Sequence, residues 1–527
     1  MNYIAKPLFL ILSNFLLIGS DLELPIGLTE DEKQRKSEIY SMGRDTDPPP
    51  LPIRNISEFE PMSGVLIRYP FGIPIVLIEE MAQDVMIYCL VSSNLQSSAY
   101  NSMADGNVNM DNVEFVLGST DSYWTRDYGP WWVVDGDRNM SIVDFTYNRP
   151  RPNDNDAPLK ISNHLNVPYF SADLIHCGGN YMTDGLGISA STDLVFEEND
   201  IANNQVLTIM EDYYGIETYH VVPDPNNTYI DHIDCWGKYL SPTKVLIREV
   251  PNSHPQFDEI EEISNYFSNS TTKWNEPWEL YRVWTPSNQP YTNSLILNNK
   301  VLVPITGGSW DEEALAVYSD AMPGYEVIGF SGSWESTDAL HCRIKGVPDL
   351  EMLQIFHNPL NDSIPPDSNG YKIDVIVDDL SESGLIPDSM KIYWKTDEIN
   401  NWNYTFLNYL DNIENLNGWS GWIPALADSS EIYYYIQSAD SSGRVEKNPP
   451  AGWHKFFAYP TNACIEWALG DLDNSGEINI IDILLLADEI IEGSISGSCS
   501  GFVSDINSDD QITIIDILLL INMISNP

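Results

Sequence analysis

One cysteine, one histidine and two aspartates are the residues of this sequence best suited to catalysis. They lie in three separate clusters: Asp127 in WTRDYGPWW (124–132), His232 and Asp234 in YIDHIDCW (229–236), and Cys342 in ALHCR (339–343). A cysteine with a histidine and carboxylates elsewhere in the chain is a candidate nucleophile. A spacing of two residues would place His232 and Asp234 on one face of a strand, where both could contact one substrate. Each residue also has an ordinary structural interpretation, since a lone cysteine is usually a small buried apolar residue.

Five motifs carry a resemblance to one enzyme family. They are WTRDYGP (124–130), GGN (178–180) with the nearby Asp184-Gly185, HIDCW (232–236), YTNSLILN (291–298) and LHCR (340–343). By these motifs, in this order, residues from about 55 to 347 resemble the agmatine deiminase and bacterial peptidyl-arginine deiminase family of guanidine-modifying enzymes. The resemblance implies an α/β fold, a five-bladed propeller with pseudo-fivefold symmetry and an active site in its central cavity.

The resemblance also implies a role for each of the four residues. Asp127 and Asp234 would hold the planar guanidinium by paired hydrogen bonds along its N–H edges. The thiolate of Cys342 would attack the central carbon, and the cationic substrate itself could lower the pKa of the thiol. His232 would protonate the departing amine and then deprotonate the water that hydrolyses the thiouronium intermediate. Catalysis would need no cofactor. His341 is left out of this set, because neighbouring residues on a strand point to opposite faces.

Further residues bear on the substrate. Arg149 and Arg151 stand in an RPRP loop directly after the strand that ends at Asn148, and Cys177 precedes the paired glycines. The agmatine branch usually has a glutamate before those glycines and a glycine-rich stretch in place of the loop, so this pattern resembles the peptidyl-arginine branch. There the corresponding arginines bind the carboxylate of a C-terminal arginine, which suits their rigid donor fork. The alternative is two solvated surface arginines. Further family positions near the substrate are matched by Trp124, Tyr229 and Asn293.

The elements that must position these residues alternate between short strands and helices. Residues 53–354 are predicted to form the α/β catalytic region, with strands such as Val113–Leu117 and Leu295–Leu297 and helices such as Asp311–Ser319. Residues 355–460 carry short strands without helical periodicity, so they are predicted to form a small antiparallel β-sandwich, immunoglobulin-like by resemblance.

Two segments precede the α/β region. Residues 1–20 combine a lysine, an apolar run and small residues, which is typical of a secretory signal peptide and predicts a secreted protein. Residues 21–52 are polar and end in a proline-rich run, which indicates a linker or a pro-segment.

An acidic motif occurs twice in residues 464–527. A loop of the EF-hand type binds Ca²⁺ through oxygens at positions 1, 3, 5, 7, 9 and 12, with a glycine at the sharp turn. The predicted ligands are Asp471, Asp473, Ser475, Glu477, Asn479 and Asp482 in the first copy, and Asp505, Asn507, Asp509, Gln511, Thr513 and Asp516 in the second. Asp510 replaces the glycine found as Gly476 in the first copy, which weakens the second loop without excluding it.

The duplicated unit resembles a dockerin, which implies structural calcium and a cohesin-like protein partner. The positions after each ninth ligand, Ile480-Ile481 and Ile514-Ile515, are apolar and depart from the cellulosomal pattern. Cys464 and Cys499 flank the first copy and could be joined by a disulfide.

Charge limits the partners. Lys and Arg number 26 against 78 Asp and Glu, which gives a net charge of −52. Binding to nucleic acid or to an anionic membrane surface needs clustered basic residues, so neither is expected. No segment after the leader is long and apolar enough for a stable membrane span.

The leading hypothesis is a secreted enzyme that converts a peptide arginine, preferably a C-terminal one, to citrulline and ammonia. One alternative is agmatine deiminase or another small-guanidine hydrolase, which export and the RPRP loop argue against. A second is a non-catalytic, dockerin-borne binding protein, which the intact set of Asp127, His232, Asp234 and Cys342 argues against.

Overall fold

The described part of the chain covers most of the sequence with short gaps. The computed structural model describes residues 23–227, 230–360, 363–364, 366, 369–396, 401–413, 416–459, 467–473, 475–492, 503–507 and 511–525. The predicted signal peptide, Tyr229, Cys464, Cys499, Asp509 and Asp510 lie outside these residues. Within them, no helix has the length and apolar character needed to cross a bilayer.

Five small sheets form the region between residues 54 and 348. Their strands, in sheet order, are Arg54–Asn55, Trp131–Val134, Met140–Tyr147 and Tyr169–His176; Thr218–Val222, Ile188–Thr192 and Met182–Thr183; Gly237–Ser241, Lys244–Glu249 and Glu279–Trp284; Leu295–Leu297, Lys300–Ile305 and Glu326–Ser331; and Lys345–Pro348, Met62–Arg68, Met86–Val91 and Val113–Leu117.

Each sheet repeats one chain path. A first strand pairs antiparallel with a second, and the second pairs in parallel with a third after a helical crossover, as in Leu295–Leu297, Lys300–Ile305 and Glu326–Ser331. The second strand is buried along almost its whole length, because helices and neighbouring units cover both of its faces. In the fifth sheet the first strand, Lys345–Pro348, comes last in the chain and pairs with Met62–Arg68, so the region closes on itself.

The helices and 3₁₀ turns before residue 349 connect strands within and between the sheets, except Glu30–Gln34 and Lys36–Ser41, which precede the first strand. They are Glu30–Gln34, Ile75–Met81, Gln96–Asp105, Pro152–Asn155, Ala157–Leu165, Leu194–Glu197, Asn203–Tyr214, Phe257–Ser268 and Asp311–Ala321, with 3₁₀ turns at Lys36–Ser41, Met110–Asn112, Gly178–Asn180, Ile233–Cys235 and His341–Arg343. The predicted strands Val113–Leu117 and Leu295–Leu297 have the observed bounds. The predicted helix at 311–319 extends to Ala321.

Two sheets follow the α/β region. One contains Leu353–Phe356, Tyr371–Asp379, Leu416–Ile423 and Asn408–Ile413; the other contains Ser363–Ile364, His454–Ala458, Ser430–Ala439, Lys391–Thr396, Asn403–Phe406 and Val445–Asn448, with a 3₁₀ turn at Pro387–Ser389. Ile373 and Val375 of the first sheet and Ile432 and Ile436 of the second share one buried apolar cluster. The predicted sandwich of two largely antiparallel sheets is therefore observed.

The C-terminal unit is a pair of helices, Ile480–Glu492 and Ile514–Ser525, that contact each other. Leu486 and Leu520 are fully buried between them. Ile480, Ile481, Ile514 and Ile515 are at least half exposed at the start of the helices.

Candidate active site

All five sequence motifs occupy equivalent places in the repeated unit. The polar residues of each motif lie just before the first strand of a sheet: residues 124–130 precede Trp131–Val134, 178–180 precede Met182–Thr183, 232–235 precede Gly237–Ser241, 291–293 precede Leu295–Leu297, and 340–343 precede Lys345–Pro348. Loops at equivalent ends of five repeated units meet in one place, which explains how motifs separated by more than 200 residues form one cluster.

Three of the five motifs contain a 3₁₀ turn, and residues 124–130 and 291–293 of the other two lie in turns or loops rather than in strands. His232 caps the turn Ile233–Cys235, and Cys342 lies within the turn His341–Arg343. The expectation that His232 and Asp234 share a strand face is therefore wrong, and so is the strand argument that set His341 aside. The chemistry-bearing residues come before the strands because a turn can direct several consecutive side chains and amides toward one centre.

The thiol of Cys342 lies in a fully buried, negatively charged setting. Its Sγ is 3.3 Å from Oδ2 of Asp234, and Nδ2 of Asn293 donates to Sγ at 3.2 Å. The amide oxygen of Asn293 accepts from the backbone N–H groups of Ala339 and His341 at 2.9 and 3.0 Å, so Asn293 also holds the nucleophile turn. Burial, Cys235 and nearby carboxylates raise the pKa of the thiol well above its ordinary value, so the free site favours the neutral thiol.

Asp127 and His232 form a second part of the cluster, and both are fully buried. Nδ1 of His232 is 3.8 Å from Oδ1 of Asp127, too far for a hydrogen bond. Within the described residues, both carboxylate oxygens of Asp127 and both ring nitrogens of His232 are buried without a hydrogen-bond partner. A Cβ on Gly179 would lie 2.6 Å from the Asp127 carboxylate and 2.7 Å from the imidazole, so the GGN motif needs glycine at this position.

The electrostatics of the cluster leave negative charge uncompensated. Burial, followed by Asp234 and Asp338, raises the pKa of Asp127 well above its ordinary value. Burial lowers the pKa of His232 to about 3, so its imidazole is neutral. Such an arrangement is stabilised by a cation with several N–H donors, since it would supply both missing hydrogen bonds and opposite charge.

His341 is a site residue that the sequence reasoning missed. Its Nδ1 is 2.7 Å from Oδ2 of Asp234, and its Nε2 is 2.6 Å from Oε2 of Glu58. Glu58 in turn accepts from Arg126 at 2.7 Å and Lys238 at 2.8 Å. This series of hydrogen bonds holds the Asp234 carboxylate in position. Burial raises the pKa of Asp234, but the hydrogen bond and charge of His341 outweigh it and hold that pKa below its ordinary value. In the sequence, the one sign that His341 belongs to the site was its position next to Cys342.

Asp338 is a second missed residue. Both of its carboxylate oxygens are buried without a partner in the described part of the chain, and burial raises its pKa to about 8. Its charge also raises the pKa values of Cys342 and Asp127, so it is a third carboxylate of the cluster. Its position four residues before the nucleophile was the only sequence signal.

The remaining predicted substrate residues lie beside this cluster. Trp124 is fully buried, and its indole N–H donates to the backbone oxygen of Leu24 at 2.9 Å. Arg149 and Arg151 are buried rather than solvated. Arg149 acts electrostatically on both Asp127 and His232, whereas Arg151 pairs with Glu32 at 2.7 Å.

One set of donor atoms near the cluster could hold a metal ion. Ligand atoms of Asp127, Cys177 and His232 all lie within 4.8 Å of one another and are buried. Burial and the charge of Asp127 raise the pKa of the Cys177 thiol well above its ordinary value, so the thiolate that metals prefer is disfavoured. The donor set therefore suits a guanidinium better than a thiolate-bound metal.

The first C-terminal loop is arranged around a potential cation position. Oxygens of Asp471, Asp473 and Asp482 lie within 4.8 Å of one another, and Gly476 has φ +81° at the sharp turn. Asp516 makes the same contacts in the second loop as Asp482 in the first, since Oδ1 accepts from Ile506 N at 2.9 Å and Oδ2 from Thr513 N at 2.8 Å. These residues fit Ca²⁺ by charge and ligand type.

Comparison with known proteins decides the family. The model of the Porphyromonas-type peptidyl-arginine deiminases matches residues 74–348, and the model of the dockerin type I domain matches residues 469–525. The chain belongs to the Porphyromonas-type peptidyl-arginine deiminase family. It is therefore a guanidine-modifying hydrolase with a dockerin type I domain at its C-terminal end.

Individual proteins that the chain is similar to include agmatine and arginine deiminases. An agmatine deiminase of Medicago truncatula is 24% identical over 300 residues, which cover 46% of this chain and 79% of that protein. The fold is similar to the structure of agmatine deiminase from Enterococcus faecalis, with TM-score 0.51, 18% identity and coverage of 56% of this chain and 96% of that one. It is also similar to a Porphyromonas gingivalis protein provisionally assigned as an arginine deiminase, with TM-score 0.50, 16% identity and coverage of 56% and 98%.

Proposed function

We propose that this protein is a secreted peptidyl-arginine deiminase that converts a C-terminal arginine of a peptide to citrulline and ammonia. The observation that carries the proposal is the buried cluster around Cys342. It combines a thiol held between Asp234 and Asn293 with a carboxylate, Asp127, whose oxygens have no partner among the described residues. A guanidinium supplies planar N–H donors and the positive charge that this cluster lacks.

In the proposed reaction, Asp127 and Asp234 hold the guanidinium plane while Cys342 attacks its central carbon. The thiol transfers its proton to the neutral His232 as the C–S bond forms. His232 then gives that proton to the departing amine, the C–N bond breaks and ammonia leaves. His232 next removes a proton from water, which attacks the thiouronium carbon. The C–S bond breaks, the hydroxyl proton of the adduct passes to the departing sulfur, and citrulline and the thiol of Cys342 are released. His232 then gives its proton to solvent or to ammonia, which restores the neutral imidazole.

Arg149 and Arg151 support a peptide with a free carboxylate as the substrate. Both guanidinium groups are buried on one short loop, and the charge of Arg149 acts on Asp127 and His232. A substrate carboxylate at this pair would align the chain so that its arginine side chain reaches Cys342. Trp124, whose ring lies 4.9 Å from the guanidinium carbon of Arg343 in the nucleophile turn, would pack against the substrate.

Asp338 favours a second candidate, agmatine deiminase. Agmatine carries an amine in addition to its guanidinium, and a buried carboxylate without a partner among the described residues could pair with that amine. The arginine pair has no role in this alternative, because agmatine has no carboxylate.

Three substrates separate the candidates: a peptide ending in arginine, the same peptide amidated at its C-terminus, and agmatine. Citrulline or carbamoylputrescine and ammonia are measured for wild type and Cys342→Ala. We expect product from the free-carboxylate peptide and its loss in Cys342→Ala. Product from agmatine alone would support the second candidate, and unchanged product in Cys342→Ala would refute the nucleophile.

The other domains complete the proposal. We interpret the five sheets as the five blades of a propeller and residues 355–460 as an immunoglobulin-like domain. The C-terminal loops would bind structural Ca²⁺, and the exposed pairs Ile480-Ile481 and Ile514-Ile515 would form the apolar face that docks on a cohesin-like partner.

A further inference from the structure

Residues 23–35 pack against the predicted substrate residues. Trp124 donates to the backbone oxygen of Leu24 and Arg149 to that of Ile26, both at 2.9 Å. Ile26 is fully buried in the apolar cluster that also contains Trp124. This short segment therefore contacts the site with its backbone and with an apolar side chain, as a bound peptide would.

A carboxylate of the same segment occupies the donor fork of Arg151. Nε of Arg151 donates to Oε1 of Glu32 at 2.7 Å, and Nη2 donates to Oε2 at 3.2 Å. Glu32 and Arg151 are 2% and 1% exposed, so the pair is shielded from water. The backbone N–H of Thr29 donates to Oε2 of Glu32 at 2.8 Å and fixes the carboxylate. Nη2 of Arg151 also donates to the backbone oxygens of Pro25 and Gly27 at 2.7 and 3.1 Å.

The charge state of Glu32 agrees with this geometry. Burial raises its pKa, but the hydrogen bonds from Arg151 and Thr29 and the charge of Arg151 outweigh burial, and the pKa lies below its ordinary value. Glu32 is thus a buried carboxylate anion on an arginine that the proposed function assigns to a substrate carboxylate. Glu30, two residues earlier in the same short helix, is exposed and pairs with Lys33 at the surface.

We infer that Trp124, Arg149 and Arg151 form a groove for a peptide carrying a carboxylate, and that residues 23–35 occupy this groove as an internal ligand that substrate must displace. The inference rests on the proposed function, because it takes the arginine pair as the carboxylate subsite. A segment that binds where the substrate binds reduces the competent fraction of the enzyme and raises the apparent KM by the reciprocal of that fraction.

The chain also offers a place to remove the internal ligand. Arg35 is partly exposed and Lys36 is exposed at the junction between the helix Glu30–Gln34 and the 3₁₀ turn Lys36–Ser41. After a cut there, the following residues would stay attached, since Thr46 pairs with Ser171 through hydrogen bonds of 3.2 and 3.0 Å. Proteolysis at this junction would therefore free the groove and leave the rest of the chain in place.

The test compares Glu32→Gln with Glu30→Gln in the full chain. Glu30→Gln is the matched control, because it makes the same change at an exposed position of the same helix. Two quantities are measured: the rate of limited tryptic cleavage after Arg35, followed by mass spectrometry, and the KM for a peptide ending in arginine. For Glu32→Gln we expect cleavage about tenfold faster and a KM about tenfold lower, the factor given by loss of one charge-assisted hydrogen bond. Glu30→Gln should match wild type in both.

Equal cleavage rates in the two variants would overturn the inference, because Glu32 would then not hold the segment. Faster cleavage with an unchanged KM would also overturn it, because the segment would not compete with substrate. If neither the wild type nor any variant forms citrulline, the proposed function fails, and this result does not decide the inference about residues 23–35. The groove is then tested by adding the arginine peptide to wild type: faster cleavage after Arg35 supports the groove, and an unchanged rate overturns it.

Discussion

The substitution Asp127→Asn should make the protein more stable and almost inactive. Both Asp127 oxygens are fully buried without a partner among the described residues, and burial and two neighbouring carboxylates raise the pKa of Asp127. A buried, unsatisfied polar group costs about 1–3 kcal/mol, and more when it is charged. Asparagine keeps the shape of the side chain and removes its charge. We therefore expect the free energy of unfolding to increase by about 1 kcal/mol and Tm to increase by about 2 °C or more.

The stability contributed by Asp127 should depend on pH in a definite direction. A carboxyl group whose pKa is raised in the folded state binds more protons when folded than when unfolded. Its contribution to the free energy of unfolding is therefore lost as the pH rises from about 4, the unfolded pKa, toward the raised folded value. The Asp127→Asn variant has no carboxyl group at this position and does not lose this stability. The difference in Tm between variant and wild type should therefore grow with pH over that range.

The activity of the Asp127→Asn variant should fall while its stability rises. The substrate guanidinium loses two hydrogen bonds to a charged group, each worth about 1.5–3 kcal/mol, so kcat/KM should fall by about 10²- to 10⁴-fold. Differential scanning fluorimetry across pH and citrulline release measure the two effects. Asp111→Asn is the control, because Asp111 is an exposed aspartate outside the site. A less stable Asp127→Asn protein, or one within tenfold of wild-type kcat/KM, would refute the reasoning.

Three further predictions follow from the site and the calcium loops. His341→Gln should lower kcat and shift the acidic limb of the pH–rate profile upward, because His341 holds the pKa of Asp234 down; an unshifted limb would argue against this positioning role. Asp338→Asn should raise the KM for agmatine about tenfold more than the KM for an N-acetylated peptide ending in arginine, since only agmatine has a second cation for this carboxylate; equal changes would remove Asp338 from substrate binding. Calcium chelation should reduce the helical circular dichroism of the C-terminal unit and leave deimination intact, because the paired carboxylates of Asp471, Asp473 and Asp482 repel one another without a cation; loss of activity on chelation would contradict the assignment.

The sequence by itself determined the family. Its motifs, in their order, resemble those of guanidine-modifying enzymes and predict a thiol, an imidazole and two carboxylates acting on a guanidinium, and a repeated spacing of oxygen ligands predicts calcium loops. It also determined the element types, as the strand Val113–Leu117 and the helix beginning at Asp311 illustrate. Such features depend on local periodicity and on the chemistry of single side chains, which a sequence displays directly.

Only the tertiary structure decided which side chains meet. The contacts of His341 with Asp234 and Glu58 join residues 107 and 283 positions apart. The pairing of Arg151 with Glu32 spans 119 positions and depends on how the N-terminal segment packs. Local pattern cannot specify such contacts, because they follow from the return of five repeated units to one centre. The strand argument against His341 was wrong for the same reason, since it assumed a local backbone geometry that the packed turns replace.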